Sequence, residues 1–315
     1  MRVLLAGASG ALGHSLTPAL VQAGHEVYGT TRSGNTASIA KAGATPLRMD
    51  GLDRESVLSA VEEAKPDVII HQLTALRAGM DPRQFDRTFG PTNRLRTEGT
   101  DHLLEAARTF KVGRFLAQSF TGWTNPRTGT GLADETTGLD PDPAPQSRQT
   151  LAAIRHVEEA VGGATDLEGV VLRYGGFYGP GTGIAKGEDG AFLQMIRQRK
   201  MPLVGDGAGV WCFVHAVDAA SATVAAVERG APGLYNIVDD EPAPMSEWLP
   251  GLAEAVGAKP PRHVPVWLAR PLIGEHGVNL MTKIRGSSNA KAKRELGWRL
   301  RYPTWREGFR HGLAE

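Results

Sequence analysis

The amino-acid sequence predicts an α/β fold, in which a doubly wound parallel sheet is joined to a smaller, mixed α/β substrate domain nearer the C-terminus. Short apolar runs alternate with segments of helical periodicity through the first half of the chain, which is typical of a parallel sheet with helices on both faces. A glycine-rich turn follows the first apolar run directly. The length of 315 residues fits about two domains at roughly 150 residues each.

Six apolar runs are predicted to be strands of this sheet. They cover residues 2–6, 26–30, 44–49, 67–70, 114–117 and 170–173. Apolar residues at helical spacing predict helices that include residues 16–21, 57–64, 103–110 and 155–161. Asp53 is predicted to cap the second of these helices, because an aspartate side chain accepts from the first backbone N–H groups of a helix.

The second half of the chain is less regular. Residues 124–147 are rich in proline, glycine and small polar residues, which predicts a long surface loop. Residues 216–238 are predicted to return to the sheet. We therefore place the sheet domain at residues 1–176 plus 214–239, and the substrate domain at residues 177–213 plus 240–315.

Composition excludes several classes of protein. With 35 basic and 34 acidic residues the formal net charge is +1, so we expect no nucleic-acid partner and no attraction to an anionic membrane. A single cysteine, Cys212, leaves no intramolecular disulfide and no multi-cysteine metal site. No apolar run approaches the ~18 residues of a membrane span, and none resembles a signal peptide. The sequence predicts a cytoplasmic protein without a metal.

The glycine-rich turn predicts a dinucleotide site. Gly7, Gly10 and Gly13 lie between the first predicted strand and the first predicted helix. In such turns the first glycine permits the tight bend, the second lets the backbone approach a pyrophosphate, and the third lets helix and strand pack closely. The spacing here is three and three, where the usual fingerprint has two and three. A glycine-rich turn without a ligand is the alternative.

The end of the second strand predicts which dinucleotide is bound. NAD sites usually place an acidic residue there, whereas NADP sites place an arginine nearby. After Glu26 this chain reads Tyr28-Gly-Thr-Thr-Arg32-Ser33 and has no carboxylate. Arg32 is therefore the candidate for the 2′-phosphate, with Thr31 or Ser33 assisting, and a solvated arginine is the alternative. We expect NADP (NADPH) as the cofactor.

From about residue 1 to residue 312 the chain resembles the extended short-chain dehydrogenase/reductases, the NAD-dependent epimerase/dehydratase family. The matching landmarks, in the order of the family, are Gly7-x-x-Gly10-x-x-Gly13, Asp50-Gly-Leu52, Gly99-Thr-x-x-Leu-Leu-Glu-Ala-Ala107, Leu172-Arg-Tyr-Gly-Gly-Phe-Tyr-Gly-Pro180, Phe213-Val-His-x-x-Asp218 and Leu296-Gly-Trp298. Several landmarks in register are more specific than any one of them. The resemblance implies a Rossmann-type fold.

The turn and the resemblance together give the candidate binding residues. Those for the cofactor are Gly7, Ser9, Gly10, Ala11, Leu12, Gly13, Arg32, Ser33, Asp50, Gly51, Leu52, Leu73, Thr74, Ala75, Gln118, Tyr174 and Gly175. Those for the substrate are Arg96, Trp123, Gly176, Phe192 and Trp211. The resemblance implies that Thr74 and Ala75 line the ribose side, and that Tyr174 and Gly175 lie near the nicotinamide. Core packing is the alternative for Tyr174 and for the other aromatic residues, and His215 and Asp218 are expected to hold the C-terminal segment.

The catalytic positions depart from the family. Its members carry a Ser or Thr after the fifth strand and a Tyr-x-x-x-Lys motif on the next helix. Here Thr150 and Ile154 stand at the tyrosine and lysine positions, Phe120 stands at the hydroxyl position, and the motif occurs nowhere in the sequence. The remaining candidate hydroxyls are Ser119, Thr121 and Thr150.

These departures favour a reaction with a modest need for acid–base catalysis. Our first hypothesis is an atypical NADPH-dependent ketoreductase of secondary metabolism, acting on an activated aromatic or polyketide-like ketone, with the proton delivered by substrate, hydroxyl or water. A non-catalytic NADP-binding sensor or recruitment protein is one alternative. Another is a nucleotide-sugar epimerase or dehydratase with a displaced acid such as Tyr178 or Glu135. The resemblance leaves a homodimer open, through helices near 97–110 and 150–162.

Overall fold

The computed structural model describes residues 1–32, 34, 36–76, 81–187 and 190–314. The strands in these ranges are β1 (Arg2–Ala6), β2 (Glu26–Thr31), β3 (Thr45–Arg48), β4 (Val68–His71), β5 (Arg114–Phe120), β6 (Glu168–Tyr174), β7 (Gly176–Tyr178), β8 (Leu203–Val204), β9 (Val210–Trp211), β10 (Phe213–His215), β11 (Gly233–Ile237), β12 (Ala243–Pro244) and β13 (His263–Val264). The predicted strands differ from these by a few residues at their ends.

The helices in the same ranges are α1 (Ala11–Gln22), α2 (Ala37–Lys41), α3 (Arg54–Ala64), α4 (Phe85–Arg94), α5 (Thr100–Thr109), α6 (Arg148–Gly162), α7 (Ala191–Arg197), α8 (Ala216–Arg229), α9 (Met245–Ala255), α10 (Val266–Thr282), α11 (Ala290–Leu296) and α12 (Trp305–His311). One π-helical turn, Leu95–Gly99, joins α4 to α5. None of the helices in the described ranges is long and apolar enough to cross a membrane.

A seven-stranded sheet has the strand order β11-β6-β5-β4-β1-β2-β3, and every neighbouring pair in it is parallel. Alternate residues of β1 face opposite sides: Val3 and Leu5 belong to the core under α1 and α8, and Leu4 and Ala6 to the core under α3, α5 and α6. Burial on both faces explains why these strands are continuously apolar. The predicted fold class is confirmed. The strand order reverses between β1 and β4, where ligands bind in such folds.

The smaller strands lie outside this sheet. β7 pairs with β10, β9 with β12, and β8 with β13. Around them a third core is built on buried aromatic residues such as Trp248, Trp305 and Phe309. The segment predicted to return to the sheet does so, because α8 packs on α1 and β11 pairs with β6. The residue boundaries of the two predicted domains stay a prediction.

The loop between β5 and α6 was predicted as a surface segment, and its hydrogen bonds attach it to the C-terminal part of the chain. Asn125 Nδ2 donates to the carbonyl of Arg285 at 2.7 Å. The backbone of Ala133 accepts from Ser288 N and donates to Gly286 O, both at 2.8 Å. These bonds place the loop against the segment that follows α10.

Helix α6 begins at Arg148, seven residues before the predicted 155–161 segment. Its first turn is held by Asp86 of α4, whose carboxylate accepts from the backbone N–H groups of Gln149 at 3.0 Å and Thr150 at 2.8 Å. The prediction was short because this cap comes from a distant part of the chain. By contrast, the predicted Asp53 cap of α3 is confirmed, since its side chain accepts from Glu55 N and Ser56 N.

Candidate active site

The glycine turn connects β1 to α1 at the carboxyl edge of the sheet. Gly7 has φ +100°, and a Cβ there would lie 2.8 Å from the carbonyl oxygen of Gln72 at the end of β4. A Cβ on Gly13 would lie 2.3 Å from the carbonyl oxygen of Ala8. Only glycine fits at these two positions, so the sequence pattern has a steric cause in the fold.

The N-terminus of α1 is exposed beyond this turn. Gly10 is its N-cap, no side chain caps it, and no acidic residue lies in its first turn. Ser9, Gly10 and Ala11 are exposed, whereas Leu12 is buried in the core. Free backbone N–H groups and the positive end of the helix dipole make such a terminus a site for a pyrophosphate.

The end of β2 lies beside the glycine turn. Thr30 Oγ1 accepts from Gly7 N at 3.3 Å. Thr31 is 3% exposed, and its buried hydroxyl oxygen has no hydrogen-bond partner among the described residues. Arg32 is exposed and makes no ion pair within the described ranges. Ser33, the predicted assistant of Arg32, lies outside the described residues.

The acidic turn after β3 lies against the residue that follows β4. Asp50 Oδ1 accepts from Leu52 N at 3.0 Å, which closes the turn. Gly51 is buried, and a Cβ there would lie 2.5 Å from Leu73 Cδ1. Asp50–Leu52 and Leu73 therefore form one continuous surface, as expected of a site for the adenosine half of a dinucleotide.

The segment after β4 is fixed from α4. Ala75, which follows Thr74, donates its N–H to Thr92 Oγ1 at 3.0 Å, and Leu73 donates to His71 Nδ1 at 3.3 Å. Thr74 and Ala75 are half-buried. The backbone beside the glycine turn is thus held in place without a ligand.

Tyr174 places its phenol in the core. The Tyr174 hydroxyl lies 2.7 Å from Thr223 Oγ1 of α8 and accepts from Gln72 Nε2 at 3.3 Å. Burial raises the pKa of Tyr174 above its ordinary value. The Tyr174 phenol therefore packs in the core, as the alternative prediction had it. Only the backbone near Gly175 lies at the edge of the sheet.

Gly175 and Gly176, which follow β6, lie close to Cys212, the residue before β10. A Cβ on Gly175 would lie 2.8 Å from the carbonyl oxygen of Cys212, and Gly176 N donates to that oxygen at 2.8 Å. Gln118, the remaining cofactor candidate on β5, is half-buried.

Two of the three candidate hydroxyls are buried in the core and hydrogen-bonded there. Ser119 Oγ donates to Glu158 Oε1 at 2.6 Å, and Glu158 also forms a two-point ion pair with Arg173 at 2.7 and 2.6 Å. Thr121 Oγ1 lies 2.5 Å from Ser287 Oγ. Ser119 and Thr121 are each 1% exposed, so neither hydroxyl faces a cleft as the sequence led us to expect.

The third candidate hydroxyl is also engaged. Thr150 is fully buried. Its hydroxyl donates to Asp86 Oδ1 at 2.7 Å and accepts from Asn93 Nδ2 at 3.0 Å. Thr150 would have to give up its bond to Asp86 before it could donate to a substrate. Sequence reasoning missed Asp86 and Asn93, because nothing in the local pattern links them to a residue 64 and 57 positions away.

Apolar side chains surround these positions. Phe120 and Trp123 pack on a buried cluster of Leu139, Leu151 and Ile154. The Trp123 ring lies 5.3 Å from the ring of His276 on α10, and burial lowers the pKa of His276 to about 4. Trp123 and this neutral histidine line a narrow cleft between the β5–α6 loop and α10.

Phe192 and Trp211 do not join that cluster. Their ring centroids lie 6.5 and 5.0 Å from Trp248 in the core of the smaller sheets. Trp211 Nε1 donates to Leu280 O at 2.8 Å. Both residues therefore pack in that core, as the alternative prediction had it, and no ring contact among the described residues joins them to Trp123.

Arg96 is buried on the π-helical turn and is 7% exposed. Burial lowers the pKa of Arg96 to about 10. Its Nη1 has no hydrogen-bond partner among the described residues.

Two further predictions concern residues outside this site. His215 Nε2 lies 2.8 Å from Gly312 O, and Asp218 accepts from the backbone N–H groups of Arg301 and Tyr302. Both residues hold the C-terminal segment, as predicted.

The two candidates for a displaced acid differ in their surroundings. Tyr178 is fully buried beside Phe309, its hydroxyl has no hydrogen-bond partner among the described residues, and burial raises the pKa of Tyr178. Glu135 is half-buried, and its Oε1 accepts from Asn236 N of β11 at 2.8 Å.

Three of the buried polar atoms without partners lie on elements near the glycine turn, where they could bind a cofactor. Thr31 Oγ1 at the end of β2, Gln72 Oε1 at the end of β4 and Arg96 Nη1 lack partners within the described ranges. Thr31 and Gln72 follow the carboxyl edge of the sheet on either side of β1, and the uncapped α1 lies between them. The fold and this edge define a dinucleotide-binding protein of the Rossmann type.

Comparison with known proteins agrees with this class. The model of the NAD dependent epimerase/dehydratase family matches residues 3–238. The 3-diazoavenalumate denitrifying reductase of Streptomyces sp is 45% identical over 310 residues, which is 98% of this chain and 99% of that protein. The 2-alkyl-3-oxoalkanoate reductase of Stenotrophomonas maltophilia is 31% identical over 82% of this chain and 76% of its own length.

A solved structure agrees as well. The UDP-glucose 4-epimerase of Thermus thermophilus in complex with NAD superposes with a TM-score of 0.75 at 25% identity, covering 99% of this chain and 98% of that chain. The present chain belongs to the NAD-dependent epimerase/dehydratase family. It is an oxidoreductase with a nicotinamide dinucleotide cofactor.

Proposed function

We propose that this protein is an NADPH-dependent reductase that gives a hydride to an electrophilic group of an aromatic small molecule, and that this group is a diazo group. The observation that carries the proposal is the bonding of Thr150, whose hydroxyl already donates to Asp86 Oδ1. A reaction served by this site has to proceed without a proton from position 150.

The residues at the carboxyl edge of the sheet support the cofactor part of the proposal. The N-terminus of α1 would hold the pyrophosphate, and the surface of Asp50–Leu52 and Leu73 would hold the adenosine half. Exposed Arg32 would bind the 2′-phosphate, since β2 ends in two threonines and no carboxylate. When bound, NADPH supplies a hydride.

The neighbouring side chains would shape the space for the acceptor. Phe120 and Trp123 form an apolar wall over Ile154, which favours a flat aromatic molecule and excludes water. A bound acceptor held in this way gains the proximity effect without any proton transfer from the chain.

A diazo acceptor suits a site without a free acid. Replacing a diazonium group by hydrogen consumes one hydride, forms a C–H bond, and breaks the C–N bond as N₂ leaves with its electrons. The charge of the diazonium group is cancelled by the hydride, so no proton is needed. The 45% identical relative is named for the denitrifying reduction of a diazo carboxylate, which supports this substrate class.

An activated ketone is the second candidate. Two relatives are named as reductases of keto compounds, the 2-alkyl-3-oxoalkanoate reductase and a dihydroquinoline-oxide ketoreductase of Stigmatella aurantiaca at 28% identity. Hydride addition to a ketone leaves an alkoxide that needs one proton. Because Thr150 is engaged, that proton would come from a phenol of the substrate or from water.

The test is a stoichiometric assay. Purified protein is mixed with NADPH and with each of two panels, ortho-quinone diazides and phenol-bearing ketones, against a control without protein. We expect protein-dependent N₂ release equal to the NADPH consumed. Ketone turnover without N₂ release would establish the second candidate. Tight NADPH binding with no turnover of either panel would contradict both and support the non-catalytic sensor.

We also propose a homodimer through the helices flanking the site. α4 and α5 lie side by side with α6, and His156 Nε2 lies 2.8 Å from Asp101 Oδ1 on their exposed face. Light scattering should give twice the chain mass. A monomer mass at all concentrations would contradict this.

A further inference from the structure

A buried guanidinium without an anion lies inside the site. Arg96 forms no ion pair with any described residue, and its Nη1 is buried without a hydrogen bond among them. A pKa lowered to about 10 still leaves the group protonated at neutral pH. A buried charge without a partner is costly, so a bound ligand that supplies acceptors would stabilise it.

Two contacts between neighbouring helices fix the position of Arg96. Asn93 Nδ2 donates to Thr150 Oγ1 at 3.0 Å, and Asp101 Oδ1 lies 2.8 Å from His156 Nε2. The α4–α5 segment and α6 therefore run in the same direction. Arg96 is three residues beyond Asn93 on a turn that packs on α6, so it lies opposite the residues that follow Thr150.

The other side of Arg96 is the end of β4. His71 Nε2 lies 3.1 Å from Thr100 Oγ1. Burial lowers the pKa of His71 to about 4, and the nearby charge of Arg96 acts in the same direction. Thr100 Oγ1 also donates to the carbonyl of Arg96 at 2.6 Å, so Arg96 lies between the carboxyl end of β4 and α6.

We propose that Arg96 is a cofactor-binding residue that holds the nicotinamide-bearing half of the dinucleotide, and that it supplies from the π-helical turn the positive charge that Ile154 cannot supply from α6. The inference rests on the proposed function. It assigns Arg96 to the cofactor, where the sequence suggested the substrate. The ribose hydroxyls and the pyrophosphate of that half are the acceptors a guanidinium would take.

The test compares two ligands by calorimetry. NADP⁺ contains the nicotinamide half, whereas 2′,5′-ADP contains only the adenosine half with its 2′-phosphate. We expect Arg96→Gln to weaken NADP⁺ binding roughly ten- to a hundredfold and to leave 2′,5′-ADP binding unchanged within about twofold. Arg96→Lys should lose less of the NADP⁺ affinity than Arg96→Gln. Arg94→Gln, on the same helix but exposed and paired with Glu98, is the matched control and should change neither affinity.

A second measurement separates binding from a structural role. The midpoint of thermal unfolding without ligand should stay the same or rise in Arg96→Gln, because a buried unpaired charge is removed. Restoring a cation on α6, in Arg96→Gln with Ile154→Lys, should recover part of the NADP⁺ affinity.

Three outcomes would overturn the inference: unchanged NADP⁺ binding in Arg96→Gln, an equal loss for both ligands, or a loss of substrate affinity alone. Wild-type protein that binds neither ligand would instead refute the proposed function, so the two failures are distinguishable.

Discussion

Thr150 and Asp86 are joined twice, although 64 residues separate them. The Thr150 hydroxyl donates to Asp86 Oδ1 at 2.7 Å and the Thr150 backbone N–H donates to the same oxygen at 2.8 Å. One carboxylate therefore begins α6 and also accepts from the hydroxyl that we predicted to stand at the tyrosine position of the family. The contact between Asp86 and Thr150 therefore caps α6 and, in our proposal, also makes the Thr150 hydroxyl unavailable for acid–base catalysis.

Replacing Asp86 should destabilise the protein. Asp86→Ala removes the acceptor of two backbone N–H groups and of the buried Thr150 hydroxyl. The expected fall in the free energy of unfolding is about 1–3 kcal/mol, measured by urea denaturation. Arg87→Ala, at the exposed neighbouring position, should change it by less than about 0.5 kcal/mol. Equal stability of the two variants would show that Asp86 is not the cap.

Arg32 should decide between the two nicotinamide cofactors. Arg32→Ala is expected to weaken NADPH binding about tenfold or more and to leave NADH binding nearly unchanged, because only NADPH has the 2′-phosphate. Fluorescence titration with each cofactor measures the ratio of the NADPH and NADH dissociation constants. A parallel loss for both cofactors would mean that Arg32 does not contact the 2′-phosphate.

Gly13 should not tolerate a methyl group. In Gly13→Ala the Cβ would lie 2.3 Å from the carbonyl oxygen of Ala8, so α1 must move away from β1. We expect a loss of about 1–3 kcal/mol in the free energy of unfolding together with weaker cofactor binding. Gly90→Ala is the control, since its Cβ meets nothing within 4 Å inside α4. This second change should stabilise the helix by up to about 1 kcal/mol. A harmless Gly13→Ala would contradict the close approach of helix and strand.

Acid should weaken the fold through His276. Burial lowers the pKa of His276 from 6.5 to about 4, so between these values the unfolded chain binds the proton and the folded chain does not. The contribution of His276 is therefore present above pH 6.5 and is lost as the pH falls toward 4. The free energy of unfolding of the wild type should fall more steeply over this range than that of His276→Phe. Identical slopes would mean that folding does not lower the pKa of His276.

The sequence predicts the sheet and the glycine turn because their causes are local. Strands such as β1 are buried on both faces and are apolar at consecutive positions. Gly7 is required by the positive φ of the turn, and Gly13 by its contact with Ala8 in the same turn. The candidate hydroxyls show the opposite case. Ser119, Thr121 and Thr150 carry hydroxyls at or next to the predicted catalytic positions, yet each is hydrogen-bonded to a residue from a distant segment. A single sequence carries no signal for such pairings.

Arg96 shows a similar limit. Its position three residues before Gly99 is visible in the sequence, but its burial is not, because burial depends on how the π-helical turn packs on α6 and β4. The sequence likewise does not show which aromatic residues line the cleft and which pack in a core. Trp123 lines the cleft, whereas Phe192 and Trp211 pack around Trp248, and only the folded chain separates them.

Thr150→Val, assayed with NADPH deuterated at its transferable position, tests the central claim most directly. The variant removes the hydroxyl and keeps the shape of the side chain. The account predicts that wild type and variant release N₂ from a quinone diazide at rates within a few-fold of each other, with deuterium on the carbon that lost nitrogen. A loss of roughly 10²–10⁴ in rate, the contribution of a general acid, with the fold intact would show that Thr150 delivers the proton and would contradict the account.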